Sequence, residues 1–100
     1  KAAASLVPES VWFAGGLFDV SGNLICLAED ISSQNVFDQL IGCALRNGVD
    51  LSKTFAVLKG NCVVESMRKA VIAGIPVLFV TGALTAASKN TADEAGLLLL

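Results

Sequence analysis

The stretch TFAVLKGNCVVESMRKAVIAGIPVLFVTG, residues 54–82, decides the fold. It opens with a nearly all-apolar run, 54–58, of the length and character of a strand covered on both faces. Lys59, Gly60 and Asn61 punctuate it, and Asn61 is placed to cap a helix over 62–73. On that helix Val63, Met67 and Ala70 recur on one face, with Val64 and Val71 at the margin. Glu65 and Lys69 form an i,i+4 pair in the favourable order. Gly74 stops the helix, Pro76 follows, and 77–80 is again fully apolar before Thr81 and Gly82 turn the chain. Strand, helix and strand in that order read as a parallel pair with a right-handed crossover.

Downstream, 83–95 reads as a further helix ended by Gly96, and 97–100 starts a final strand. Asp93 and Glu94 near that helix's C-terminus oppose its dipole and serve surface solubility. Upstream, Ser32 or Ser33 caps a helix on which Phe37, Leu40, Ile41 and Ala44 share a face; Asp38, Gln39 and Arg46 point largely away. Asn47 and Gly48 end it. Before it, 17–20 and 23–27 read as short strands joined at Ser21 and Gly22, a hairpin. Gly15 and Gly16, within 11–17, read as a turn or close-approach loop. Residues 1–16 are thus expected to lead into a single domain over 17–100. The order is hairpin, α, β, α, β, α, β. The expected class is α/β, three-layer α/β/α, with a mixed sheet and helices on both faces.

Composition narrows the function. Hydrophobic residues make up 54% of the 100 and charged ones 16%, a packed chain rather than a disordered tail. A net charge of −2 leaves no basic footprint for nucleic acid. No apolar run approaches the roughly 18 residues of a membrane helix. A chain beginning at Lys1 is expected to be a fragment, and its first five residues are too short for a signal peptide. Cys26, Cys43 and Cys62 show no CxxC spacing, and reduced, buried thiols in a cytoplasmic protein are expected. There is no histidine, which removes His-based acid/base chemistry and nearly every common zinc site.

Chemistry is best sought where strands end in small-residue turns that open helices: Gly60, Asn61 and Cys62 after one strand, Thr81, Gly82 and Ala83 after the next. If the strands are parallel neighbours, both helix N-termini meet at the carboxyl edge of the sheet, where α/β folds hold ligands and amide dipoles attract anions. The alternative is that the turns are only tight connections, for no GxGxxG or GxxxxGK[ST] is present. Cys62 at a helix start beside Lys59 is the best-placed thiol, although a buried, inert cysteine is the commoner case. Glu29 and Asp30, adjacent in an extended segment, point to opposite sides and suit helix-dipole complementation rather than paired acid/base work. Trp12 and Phe13 offer either a stacking platform or a packed lead-in.

The string EDISSQNVFDQLIG, 29–42, resembles the ED-[VI]-G-R-H-N-A-x-D-K-x-I-G signature of the FdhD/NarQ family, accessory sulfurtransferases of formate dehydrogenase. KGNCVVESMRKA at 59–70 is similar to the family's S-G-R-x-S-x-E-M-x-x-K-A, 73–78 to its A-G-I-P string, and 81–85 lies where it has S-A-P-T. The likeness covers about 15–100. It implies a cytidine-deaminase-like domain, incomplete here at its C-terminus, acting in a cytoplasmic homodimer. It also implies sulfur transfer from a cysteine desulfurase, with formate dehydrogenase as the target. The ligand implied is the guanine-dinucleotide form of the molybdenum cofactor, or a guanine nucleotide, with pocket positions at Gly15, Gly16, Gly60, Asn61, Cys62, Thr81, Gly82 and Ala83. This chain departs from the pattern: Ser32, Ser33 and Gln34 replace G-R-H, Gln39 replaces the Lys of D-K, and Asn61 replaces the Arg of S-G-R. No CxxC lies in the 100 residues. Several residues seen in the family's T-G-G-x-H element are missing after Gly16. Zinc-deaminase chemistry would need H/C-x-E and PCxxC, which are lacking. The alternative is a divergent, non-catalytic nucleotide-binding or dimerisation module, or a purely structural interaction domain.

Overall fold

The computed structural model describes residues 13–100. Trp12, half of the stacking pair considered above, and most of the lead-in lie outside the described residues. The described residues form five strands and three α-helices: β1 (Phe13–Asp19), β2 (Leu24–Asp30), α1 (Ser33–Arg46), β3 (Thr54–Lys59), α2 (Val64–Ala73), β4 (Val77–Val80), α3 (Ala86–Ala95) and β5 (Leu98–Leu99). A 3₁₀ turn, Leu51–Lys53, precedes β3.

The strands lie in the order β2-β1-β3-β4-β5. β1 is antiparallel to both neighbours, while β3, β4 and β5 are mutually parallel. The class is therefore α/β with a mixed sheet, as expected. The hairpin turn is tied by the Asp19 carboxylate, which accepts from the Asn23 and Ser21 amides at 3.0 and 2.9 Å. Those bonds, that from the Asn23 amide foremost, hold its carboxyl below the usual range.

The helices depart from the expected arrangement. β2, β3, β4 and β5 run the same way, and each crossover steps in the same direction across the sheet. Right-handed connections then place α1, α2 and α3 on one face. α1 packs on α2, and α2 on α3. Leu17, Ala56, Leu58 and Leu78 point into that layer and are buried, with Val36, Phe37, Leu40, Ala44, Met67, Ala70 and Ala92 above them. The described residues thus supply two of the three expected layers. On the other face Phe18 stacks on Phe55 with ring centroids 5.1 Å apart, and Phe79 meets Phe55 edge-on at 5.8 Å.

Several local expectations are corrected. Gly15 and Gly16 are not a turn: β1 runs through them. A Cβ at Gly15 would stand 2.5 Å from Val36 Cγ1, so glycine here lets α1 approach the strand. α2 starts at Val64, not Cys62, and its N-cap is Val63, which makes no side-chain cap and is 37% exposed. Asn61 is occupied elsewhere. Lys69 pairs with Asp38 of α1 at 2.7 Å rather than with Glu65, because the packed helices bring Asp38 within reach. α3 begins at Ala86 behind an N-cap at Thr85, whose hydroxyl accepts from the Ser88 amide. Cys26 and Cys43 are joined as a disulfide instead of standing as reduced thiols.

Candidate functional site

β3 and β4 pair in parallel with Leu58 opposite Val80, so the turns that follow them leave the sheet side by side. The two turns are then tied together. Thr81 N donates to Leu58 O (3.0 Å), Gly82 N to Gly60 O (3.1 Å) and Cys62 N to Ala83 O (2.9 Å). Side chains complete the lock: Gly60 N donates to Thr81 Oγ1 (3.2 Å), and Ala83 N donates to Asn61 Oδ1 (2.8 Å). Cys62 and Leu84 form a parallel bridge below. Gly60, Asn61, Cys62, Thr81, Gly82 and Ala83 are therefore one structure.

Two glycines make the lock possible. Gly60 has φ +123°, and a Cβ there would stand 2.5 Å from Cδ2 of the Phe13 ring. A Cβ at Gly82 would run into the Gly60 carbonyl. Gly15 and Gly16 are not brought to this rim. Gly15 faces α1, opposite Leu58 in the register with β3. Gly16 looks to the other side of the sheet, where it and the backbone of Gly15 line, with Phe18, Leu27, Val57 and Lys59, an open, mainly apolar hollow of about 200 Å³.

α1 and α2 bring their first turns to the same side. Asp30, the last residue of β2, accepts from Ser32 N (3.1 Å), Asn35 Nδ2 (3.3 Å) and, through its other oxygen, Gln39 Nε2 (3.2 Å). It thereby sets the start of α1, beside the N-cap contact of Asn35 N on Ser32 Oγ. This agrees with the expected helix-terminal role and goes further, since side chains of the first two turns are gripped as well. Ser33 and Ser66 share a hydrogen bond of 2.6 Å in the buried seam between α1 and α2. Ser88 donates to Cys62 O at 3.0 Å. Sequence reasoning passed over Ser33, Ser66 and Ser88 as a group. The available signal is a serine within the buried face of an amphipathic helix, which requires a partner.

Cys62 is wholly buried, and burial pushes its thiol up to about 11. At pH 7 its thiolate fraction is on the order of 10⁻⁴. Of the two readings of this thiol, the buried one fits: the residue precedes α2 and lies beneath the locked turns, so no helix N-terminus activates it. Its Sγ points toward the Val63 carbonyl at 3.7 Å. The rim amides of Gly60, Cys62, Gly82 and Ala83 all donate within the lock, so the turns do not form an open amide cradle for an anion. What the rim presents is polar turn side chains on a rigid, side-chain-poor floor. Among the described residues no helix is long and apolar enough to cross a membrane.

The model of the FdhD/NarQ family matches residues 10–100. A sulfur carrier protein FdhD from Nocardia farcinica is 40% identical over 88 residues, which is 87% of this chain and 32% of that protein. One from Streptomyces avermitilis is 39% identical over 88 residues, covering 87% and 31%. The chain spans about a third of the length of the curated relatives it matches. Among solved structures, a protein assigned as a formate dehydrogenase accessory protein from Desulfotalea psychrophila superposes with a TM-score of 0.80 at 20% identity, over 89% of this chain and 39% of that one. NE0047 in complex with 8-azaguanine superposes with a TM-score of 0.64 at 14% identity, over 87% and 63%. At these identities the likeness concerns the fold, which is cytidine-deaminase-like.

Proposed function

The chain belongs to the FdhD/NarQ family, and from that premise we propose that it is a domain of a sulfur-carrier accessory protein serving formate dehydrogenase. In this reading the molybdenum cofactor is cargo. The rim formed by the turns after β3 and β4 takes the guanine-nucleotide end of its guanine-dinucleotide form. Sulfur is supplied by a cysteine desulfurase, and the protein works in the cytoplasm as a homodimer.

The observation that carries the reading is the union of those two turns at the carboxyl edge of parallel strands, where α/β folds hold nucleotides. The residues fit a base better than a phosphate chain. Gly60 and Gly82 let the two turns close on each other, and Asn61 and Thr81 contribute polar side chains, but the turn amides already answer one another. The family's basic G-R-H is Ser32, Ser33 and Gln34 here, so selectivity falls on base edges and shape rather than on charge. Isothermal titration of the full-length protein with GDP, with ADP as the control, is expected to give saturable, guanine-selective binding. Absence of GDP binding tighter than about 1 mM overturns the nucleotide assignment.

A second reading is a divergent member that binds nucleotide, or dimerises, without transferring sulfur. It is favoured by the burial and raised pKa of Cys62, the thiol nearest the rim. Mass spectrometry after incubation with a cysteine desulfurase and cysteine separates the two. A persulfide supports transfer, whereas guanine-nucleotide binding without one supports the second reading.

A further inference from the structure

β2 is an edge strand, joined to the sheet through β1 alone. α1 lies over both strands. Its polar anchors gather at its beginning, where Asp30 holds Ser32, Asn35 and Gln39. The far half of the helix has a covalent anchor instead: Cys43 is bonded to Cys26 of β2, with Cα atoms 6.3 Å apart. The two sulfurs differ in access. Cys26 is 4% exposed and faces the core, while Cys43 is half-buried on the flank of the helix, one turn before its end. There Asn47 Nδ2 donates to the Cys43 carbonyl at 2.8 Å and approaches its sulfur at 3.6 Å. Cys43 is thus the more exposed residue of the pair, and the side from which an external thiolate would approach. Neither cysteine belongs to the rim.

We propose that the Cys26–Cys43 disulfide is a redox-sensitive staple that sets how firmly α1 is held on the edge strand. The exchange uses a dithiol as reductant. One of its thiolates attacks Cys43 Sγ, a mixed disulfide forms, and the electron pair of the broken bond leaves on Cys26 Sγ, which takes a proton. The second thiol of the reductant then attacks its own sulfur in the mixed disulfide, releases Cys43 as a thiol, and leaves the reductant as a cyclic disulfide. Two electrons and two protons pass to the protein, and nothing else is consumed.

The staple joins residues 17 apart, so opening it restores conformational freedom chiefly to the unfolded chain and to the helix end it pins. The apolar anchors Val36, Phe37, Leu40 and Ala44 remain, so the reduced protein keeps its fold while residues 40–46 open more often.

The test uses the full chain purified without reductant. Iodoacetamide labelling under denaturing conditions is expected to modify Cys62 alone, and all three cysteines after treatment of the native protein with dithiothreitol. Reduction is expected to lower Tm by roughly 10 °C and to speed amide exchange in 40–46 by about tenfold. Three labels without reductant would overturn the proposal, because the bond does not form. A single label after native dithiothreitol would do so too, because the bond does not respond. Full reduction with unchanged Tm and exchange would show that it does not hold α1. The double variant C26A/C43A is expected to match the reduced protein and to ignore dithiothreitol; if it does not fold, reduction of the unaltered chain still decides.

Discussion

The hydroxyls of Ser33 and Ser66 meet at 2.6 Å in a buried seam, one from the first turn of α1 and one from α2, separated by 33 residues. Each satisfies the other where water has no access. Ser66→Ala leaves Ser33 without that partner and is expected to cost about 1–3 kcal/mol, seen as a Tm loss of several degrees. The double variant S33A/S66A should lose less than the sum of the singles, because no orphaned hydroxyl remains. A thermal double-mutant cycle measures this, and strict additivity would mean the pair contributes nothing as a pair.

Glycine substitutions should differ in sign by position. At Gly82 a methyl group runs into the backbone of Gly60, which cannot yield without opening the lock between the turns. Gly82→Ala is expected to destabilise by more than about 2 kcal/mol and to weaken any ligand at the rim. Gly42 lies inside α1, and a Cβ there meets only the end of the Arg46 side chain at 3.3 Å. Gly42→Ala should stabilise by about 0.5–1 kcal/mol. Urea unfolding of the two variants checks both signs.

Stability should fall in mild alkali because of Cys62. Burial raises its folded pKa from 9.0 to about 11, so the folded state keeps a proton that the unfolded state gives up. The contribution is fully present below pH 9, declines above it, and is gone once pH passes about 11. Its size is roughly 2–3 kcal/mol. Comparing urea midpoints of the unaltered chain and Cys62→Ala across this window isolates the effect: the difference between them should change with pH. A pH-independent difference would contradict the burial of the thiol.

The Lys69–Asp38 bridge is partly exposed on both sides, at 32% and 54%. Solvent screening limits such a pair, and its coupling energy should be about 0.2–1 kcal/mol and shrink in molar salt. A double-mutant cycle at low and high salt measures it. Charge reversal at both positions together should restore most of the loss from either reversal alone.

The amphipathic helices, the apolar strands and their stops at Gly74 and Gly96 were readable because each rests on contacts within one turn or one register step. Both stops are confirmed by backbone in the left-handed region, φ +83° and +75°. The pairing of the turns after β3 and β4 was also inferable, since parallel neighbours send their crossovers to one edge. The state of that edge was not. Counting small residues in a turn locates donors but does not say whether they are spent; here Asn61 and Thr81 reach across and consume them. Gly15 and Gly16 illustrate the same limit, for a glycine pair reads alike whether it bends the chain or clears a path for a helix packed on it.

By itself, the amino-acid order determined the succession of elements and the parallel half of the sheet, which follow from periodicity and local chemistry along the chain, and family membership, which rests on the likeness of whole motif strings to those of relatives. Only the tertiary structure decided which cysteines bond, which serines meet, that Lys69 turns to Asp38, and that the helices share one face. Those outcomes depend on separations of a few ångströms between residues distant in sequence, and such distances exist only once the core has packed.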